Sequence, residues 1–116
     1  MTDKDCLFCK IVAGDIPSAT VHDDELVTAF EDINPVAPVH QLIVPKQHIS
    51  SAVELSESDA PLLGRLFAVA AQLAVAAGLP PRGYRLVTNV GPDGGQSVDH
   101  LHFHLIGGRA MSWPPG

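Results

Sequence analysis

The sequence predicts an α+β domain, an antiparallel sheet with one long helix on a face. Three observations carry this. Strand-like runs precede and follow a single stretch of helical periodicity, Leu62 to Ala77. The ten prolines and ten glycines are scattered as turn punctuation, not collected into a linker. No internal repeat or low-complexity tract divides the 116 residues. One domain over residues 1–116 is expected, with 107–116 as a C-terminal tail.

Each element has its own warrant. Cys6 to Ala13 is apolar enough for a short helix, stopped by Gly14 and Pro17. Thr20 to His22 and Leu26 to Phe30 read as short strands joined at Asp23-Asp24-Glu25. Asn34 to Pro38 carries two prolines, which lack ladder donors, so it is a loop. His40 to Pro45 is apolar and β-branched, a buried strand. Ser56, Ser58 and Asp59 offer caps for the long helix, and Pro61 suits its first turn. Leu62, Leu63, Leu66, Phe67, Ala70, Leu73, Ala74 and Ala77 form its inner face, and Gly78 and Pro80 end it. Tyr84 to Val90 is a further strand, residues 91–95 a tight loop, and Val98 to Ile106 the last strand.

Composition excludes several functions. Seven Lys and Arg stand against thirteen Asp and Glu, a formal charge of −6, with no basic run. That is the wrong footprint for nucleic acid. No apolar stretch reaches about 18 residues, so no membrane span is expected. The polar start, Met1 to Asp5, has no signal-peptide pattern. Two cysteines do not make a disulfide scaffold, and a cytoplasmic location is the expectation.

Histidine is the unusual residue. Of six, three alternate in His100-Leu101-His102-Phe103-His104. On a strand they share one face, and Leu101, Phe103 and Leu105 share the other. Three readings are open: a chance cluster, a three-histidine metal site, or acid–base and nucleophilic chemistry by imidazole. A straight strand strains the metal reading, because His100 and His104 would be about 13 Å apart at their backbones. The preceding stretch, Asn89 to Ser97, supplies glycines, a hydroxyl and an amide suited to a phosphate. A plain hairpin turn remains the alternative there.

The run His100-Leu101-His102-Phe103-His104-Leu105-Ile106 resembles the signature of the histidine triad superfamily. Glu31 to Pro35, Pro38 to His40, Ile43 to Lys46, His48 to Ser50, Gly94 to Ser97 and Trp113 to Gly116 resemble its Hint branch of homodimeric purine-nucleoside phosphoramidate hydrolases. The resemblance implies a twofold dimer with a continuous sheet and an adenosine 5′-phosphoramidate as substrate. It makes His102 the nucleophile, oriented by the backbone carbonyl of His100. His104 and His40 would contact phosphate and move protons. Ser97 and Gln96, with Gly95, would orient phosphate and leaving group, and Asn89 would align the phosphate. Asp32 would accept from the ribose hydroxyls, and Phe30 and Ile33 would wall the base pocket. No cofactor is required for this chemistry. A broader nucleotidyl hydrolase or transferase acting on dinucleoside polyphosphates, and a nucleotide-binding interaction module, are the alternatives.

Cys6-Leu7-Phe8-Cys9 admits redox, metal-binding and packing readings. Some bacterial histidine triad proteins resemble this chain in having the same cysteine pair and bind zinc with two histidines. Carried over by motif, these are His48 and His100, giving a structural Zn²⁺ site with Cys6 and Cys9. Asp99 departs from the family pattern, which has a bulky residue there. Its carboxylate must reach solvent or a partner. His22 has no assigned task.

Overall fold

The computed structural model describes residues 4–116. The first three residues of the polar start lie outside that range. Five strands form one antiparallel sheet: β1 (Thr20–Asp23), β2 (Val27–Glu31), β3 (Val39–Pro45), β4 (Tyr84–Val87) and β5 (Phe103–Gly107). Their order across the sheet is β1-β2-β3-β5-β4. Two α-helices complete the fold, α1 (Leu7–Val12) and α2 (Ala60–Ala76).

The sheet separates two cores, because alternate residues along each strand point to opposite faces. On one face Val27, Ala29, Ile43, Phe103 and Leu105 meet the buried row of α2, Leu66, Val69, Ala70, Leu73 and Ala74. On the other, Phe30, Leu42 and Val44 meet Cys6, Phe8 and Cys9 from the chain start. The α2 row is a clean i, i+3, i+4 stripe that includes Val69. Phe67, expected on it, lies at its edge and is exposed, and Ala77, also expected on it, is the C-cap beyond the end of α2 and is exposed too. Phe67 still leans its ring on Phe103, centroids 5.4 Å apart.

Local chemistry explains the helix ends. The Ser56 backbone N–H donates to the Asp59 carboxylate at 3.0 Å, and Pro61 sits in the first turn of α2. Gly78 follows α2 with φ of 73°, the left-handed geometry of a helix C-cap. From Glu57 to Ala76 the chain is long and apolar enough, by composition alone, to cross a membrane. Its inner row is instead spent on the sheet.

His22, left unassigned, belongs to a turn cluster. Its Nε2–H donates to Asp24 Oδ2 at 2.6 Å, and the Arg65 guanidinium donates to the same oxygen at 2.8 and 3.1 Å. Asp24 Oδ1 accepts the backbone N–H groups of Leu26 and Val27. One carboxylate thus ties the β1–β2 turn to α2.

Two strands are shorter than the sequence predicts. The last strand, expected over Val98–Ile106, runs only from Phe103, so His100 and His102 precede it. The ladder between β3 and β5 stops at Ile43 opposite Phe103. Backbone groups beyond it are engaged elsewhere: Leu101 N–H donates to Ile49 at 2.6 Å, and the His100 carbonyl accepts from the His102 ring. The strand from Tyr84 ends at Val87, not Val90, because its partner leaves the sheet there. The Thr88 hydroxyl then donates to the His102 carbonyl at 2.8 Å. The two-sided alternation survives without a continuous strand: Leu101, Phe103 and Leu105 all sit in the aliphatic core.

Leu105 is fully buried in the central strand β5. Leu105→Ala is expected to cost about 2–5 kcal/mol. Urea unfolding would show this as a lower midpoint with an unchanged m-value.

Candidate active site and metal centre

The chain start builds the metal centre. Cys6 caps α1, its Sγ accepting the Cys9 N–H at 3.3 Å. That cap turns both sulfurs toward the sheet. Cys6 Sγ and Cys9 Sγ lie 3.3 and 3.5 Å from His100 Nδ1, and Cys9 Sγ lies 3.3 Å from His48 Nδ1. All four ligand atoms fall within 4.8 Å of one another. Tetrahedral zinc, with Zn–S near 2.3 Å and Zn–N near 2.0–2.1 Å, sets S and N about 3.6 Å apart. The donor set therefore fits a closed structural zinc site.

Tautomers agree with that fit. His100 is fully buried, and its Nε2–H donates to the Pro45 carbonyl at 2.8 Å. Its Nδ1 is left as the lone pair that faces the sulfurs, the arrangement second-shell carbonyls impose on metal-binding histidines. Burial pushes the Cys6 thiol up and the His100 imidazole down. A cation among these atoms favours thiolate and neutral imidazole together.

His100 also serves the neighbouring site through its backbone. Its carbonyl accepts the Nδ1–H of His102 at 2.6 Å. A neutral His102 then carries its free lone pair on Nε2. Burial holds the His102 imidazole below its ordinary range, against the opposing pull of the His100 carbonyl and Asp32.

A second hydrogen-bonded chain sets the opposite tautomer on His104. The Val36 backbone N–H donates to His40 Nδ1 at 3.1 Å, so the proton of neutral His40 sits on Nε2. That Nε2–H faces His104 Nδ1 at 2.9 Å, with Asp32 Oδ2 farther off at 3.4 Å. With Nδ1 accepting, His104 bears its proton on Nε2. Burial, then the nearby His102 and His40, push His104 down to about 4, with Asp32 opposing. His102 and His104 have ring centroids 5.0 Å apart. One offers a nucleophilic nitrogen and the other a donor.

These rings open on a cavity of about 540 Å³. Of the residues expected to bind nucleotide, Phe30, Asp32, Ile33, Ser97, His102 and His104 line it. Ser97 is exposed there with no side-chain hydrogen bond among the described residues, and Ile33 is 91% exposed on the lip. Asn89, Gly95 and Gln96 do not line the cavity. Gln96 is a brace: its Oε1 accepts the Gly91 N–H, and its Nε2 donates to the Ser50 and Val98 carbonyls. Gly94 packs so tightly that a Cβ would sit 2.4 Å from the Val90 oxygen. The glycine loop thus fixes the approach to Ser97. Asp99 is exposed and reaches solvent.

Phe8 carried no functional signal beyond its place between the cysteines. It packs edge-on against His102 at 5.1 Å, Phe30 at 5.6 Å and His100 at 5.9 Å. With Leu7 and Ile11 it makes α1 one wall of the cavity. Val36 and Pro45 act through backbone atoms, which leave no mark in residue identity.

Comparison with known proteins gives a consistent picture. The HIT domain model matches residues 13–111. An uncharacterized HIT-like protein of Synechococcus elongatus is 47% identical over 113 residues, 97% of this chain and 98% of its own length. A 14 kDa zinc-binding protein of Zea mays is 48% identical over 118 residues, covering 100% of this chain and 91% of that protein. The crystal structure of a HIT family hydrolase from Legionella pneumophila is similar with a TM-score of 0.95 and 51% identity, over 97% of this chain and 100% of that one.

Two outcomes follow from the geometry. Elemental analysis is expected to find one zinc per chain, and Cys9→Ser to lose it together with about 3 kcal/mol or more of stability. The second concerns pH. With the folded His104 at about 4 against an ordinary 6.5, the unfolded chain binds a proton that the folded one refuses. Its contribution is flat above pH 6.5, and stability falls as pH drops toward 4. Melting curves should show a smaller loss over that window in His104→Asn than in the wild type.

Proposed function

The chain belongs to the HIT domain family and is HIT family hydrolase-like in sequence and fold, and on that premise we propose that it hydrolyses adenosine 5′-phosphoramidates through a nucleotidyl-histidine intermediate. The observation that carries the reading is the pairing of tautomers. His102 presents a free Nε2 while its Nδ1–H is held by the His100 carbonyl at 2.6 Å. His104, held by His40, presents a proton beside it.

In the first step His102 Nε2 bonds to the α-phosphorus and the P–N bond breaks. The leaving nitrogen takes a proton from solvent and departs as the amine, and the water that attacks in the second step returns one to solvent. His102 is then an N-phosphoryl imidazolium, still donating from Nδ1 to the His100 carbonyl, with Asp32 near enough to favour its charge. In the second step water attacks phosphorus, the bond to Nε2 breaks, and the nucleoside monophosphate leaves. His104 Nε2–H and the Ser97 hydroxyl are donors for the phosphoryl oxygens. Phe30 and Ile33 would wall the base, and Asp32 would accept from the ribose. Cys6, Cys9, His48 and His100 would hold a structural zinc, which would fix α1 and the His100 backbone. It takes no part in bond-making.

A homodimer belongs to the same reading. β4 is an edge strand with one side unpaired. The outer face of α2 leaves Phe67 54% and Val75 67% exposed. A second copy would extend the sheet at β4 and cover these apolar residues. Trp113 of the tail is 82% exposed and free to reach across.

His102→Ala is expected to lower kcat/KM on an adenosine phosphoramidate by about 10³-fold or more, with the fold unchanged by circular dichroism. Undiminished turnover would remove His102 from the mechanism. Faster turnover of a diadenosine polyphosphate than of the phosphoramidate would reassign the substrate class.

A further inference from the structure

The 540 Å³ cavity runs across the strands, polar at its ends and apolar between. On the histidine face His104 of β5 lies opposite Leu42 of β3, Leu42 opposite Phe30 of β2, and Phe30 opposite Thr20 of β1. Neighbouring strands are about 4.8 Å apart, so the row spans about 14 Å. His102, His104 and Asp32 mark one end, and Phe8, Phe30 and Leu42 line the stretch between. At the other end stands Ser18, just ahead of β1. The chain is pinned there by the Glu31 N–H, which donates to the Ala19 carbonyl at 3.0 Å. Ser18 Oγ lies 3.3 Å from Thr20 Oγ1. That contact uses one hydroxyl hydrogen and one lone pair, so the two hydroxyls keep a donor and further lone pairs for a ligand. Asn34 keeps to the histidine end, its backbone N–H donating to Asp32 Oδ1 at 2.7 Å, and Glu31 turns its carboxylate to Gln41 at 3.1 Å.

We infer that Ser18 reads the outer edge of a purine base, its hydroxyl accepting from the exocyclic amine of adenine. The inference rests on the nucleotide reading proposed above and adds to it a residue that sets base preference. A phosphoryl group at His102 and His104 directs the ribose and base along the row, over Leu42 and Phe30. A purine has apolar faces, which suit that floor, and a polar edge, which suits a hydroxyl; few polar groups in an apolar pocket are what fix a ligand's orientation. A bicyclic base reaches the far end of the row, and a monocyclic base stops short of it. Ser18 is exposed, so the contact is worth a modest factor and is no absolute gate. β1 is the sheet edge opposite β4, so this end of the cavity lies away from the strand on which a second copy is seated.

The test is calorimetric titration of the zinc-loaded full chain with adenosine 5′-monophosphate and with purine riboside 5′-monophosphate, which lacks only the amine. The wild type is expected to bind the adenosine compound about fivefold more tightly. Ser18→Ala should abolish that difference by weakening the adenosine compound, and Ser18→Thr, which restores a hydroxyl, should keep it. Ser18 lies outside helix and strand, so both variants should retain the wild-type circular dichroism. Equal affinity of the wild type for the two nucleotides, or a preference that survives Ser18→Ala, would overturn the assignment. Neither monophosphate contains a P–N bond, so the outcome is read without hydrolysis. A Ser18-dependent preference in a chain that leaves phosphoramidates intact upholds Ser18 and removes the hydrolase reading. Phosphoramidate turnover with no Ser18 dependence does the reverse, and failure to bind either nucleotide overturns both.

Discussion

The carbonyl of His100 accepts the Nδ1–H of His102 at 2.6 Å while the side chain of the same residue faces Cys6 and Cys9. That double engagement organises everything around it. A carbonyl committed to an imidazole is unavailable to the sheet, so the strand starts only at Phe103. A ring committed to the cysteines must be buried, so His100 has no exposed surface at all. Burial in turn pushes the His102 and His104 imidazoles toward the neutral form, and neutral rings have tautomers that backbone atoms can choose. The cysteine–histidine cluster and the histidine pair of the cavity are joined within one residue.

The sheet divides the labour. One face carries an aliphatic core of ordinary kind, closed by α2. The other is too small for such a core and is closed by a six-residue helix. A helix that short does not hold itself together in water. Its place depends on Phe8, packed among rings, and on Cys6 and Cys9. The same face also ends in a shared residue: Val36 donates to His40 through its N–H and accepts from Arg109 through its carbonyl.

Much of this was legible in the residues. The periodicity of α2 and the β-branched runs of β2 and β3 report burial directly, and burial is what hydrophobic patterning encodes. Alternation in His100 to Leu105 points to the right two faces, but the expected strand begins only at Phe103. Period two is also compatible with an extended segment whose hydrogen bonds go to side chains and loops. The spacing of Cys6, Cys9, His48 and His100 is not diagnostic by itself, and only the fold brings these four together. Gln96 looked like a ligand-binding amide and is a loop brace. Phe8, Val36 and Pro45 were invisible as site residues, the first because an aromatic reads as core, the others because their backbone atoms do the work.

The two-sided segment from His100 to Leu105 has a consequence for how such a chain can vary in length. Side-chain direction there reverses at every residue, with the imidazoles on one side and the aliphatic core on the other. Deleting or inserting one residue would exchange the two sets at a stroke, driving imidazoles into the core and leucines against the cysteines. Single substitutions harm one side at a time, whereas a one-residue slip harms both. Insertions are therefore accommodated outside this stretch, in exposed turns such as residues 80–83, where the chain is already punctuated by proline and glycine.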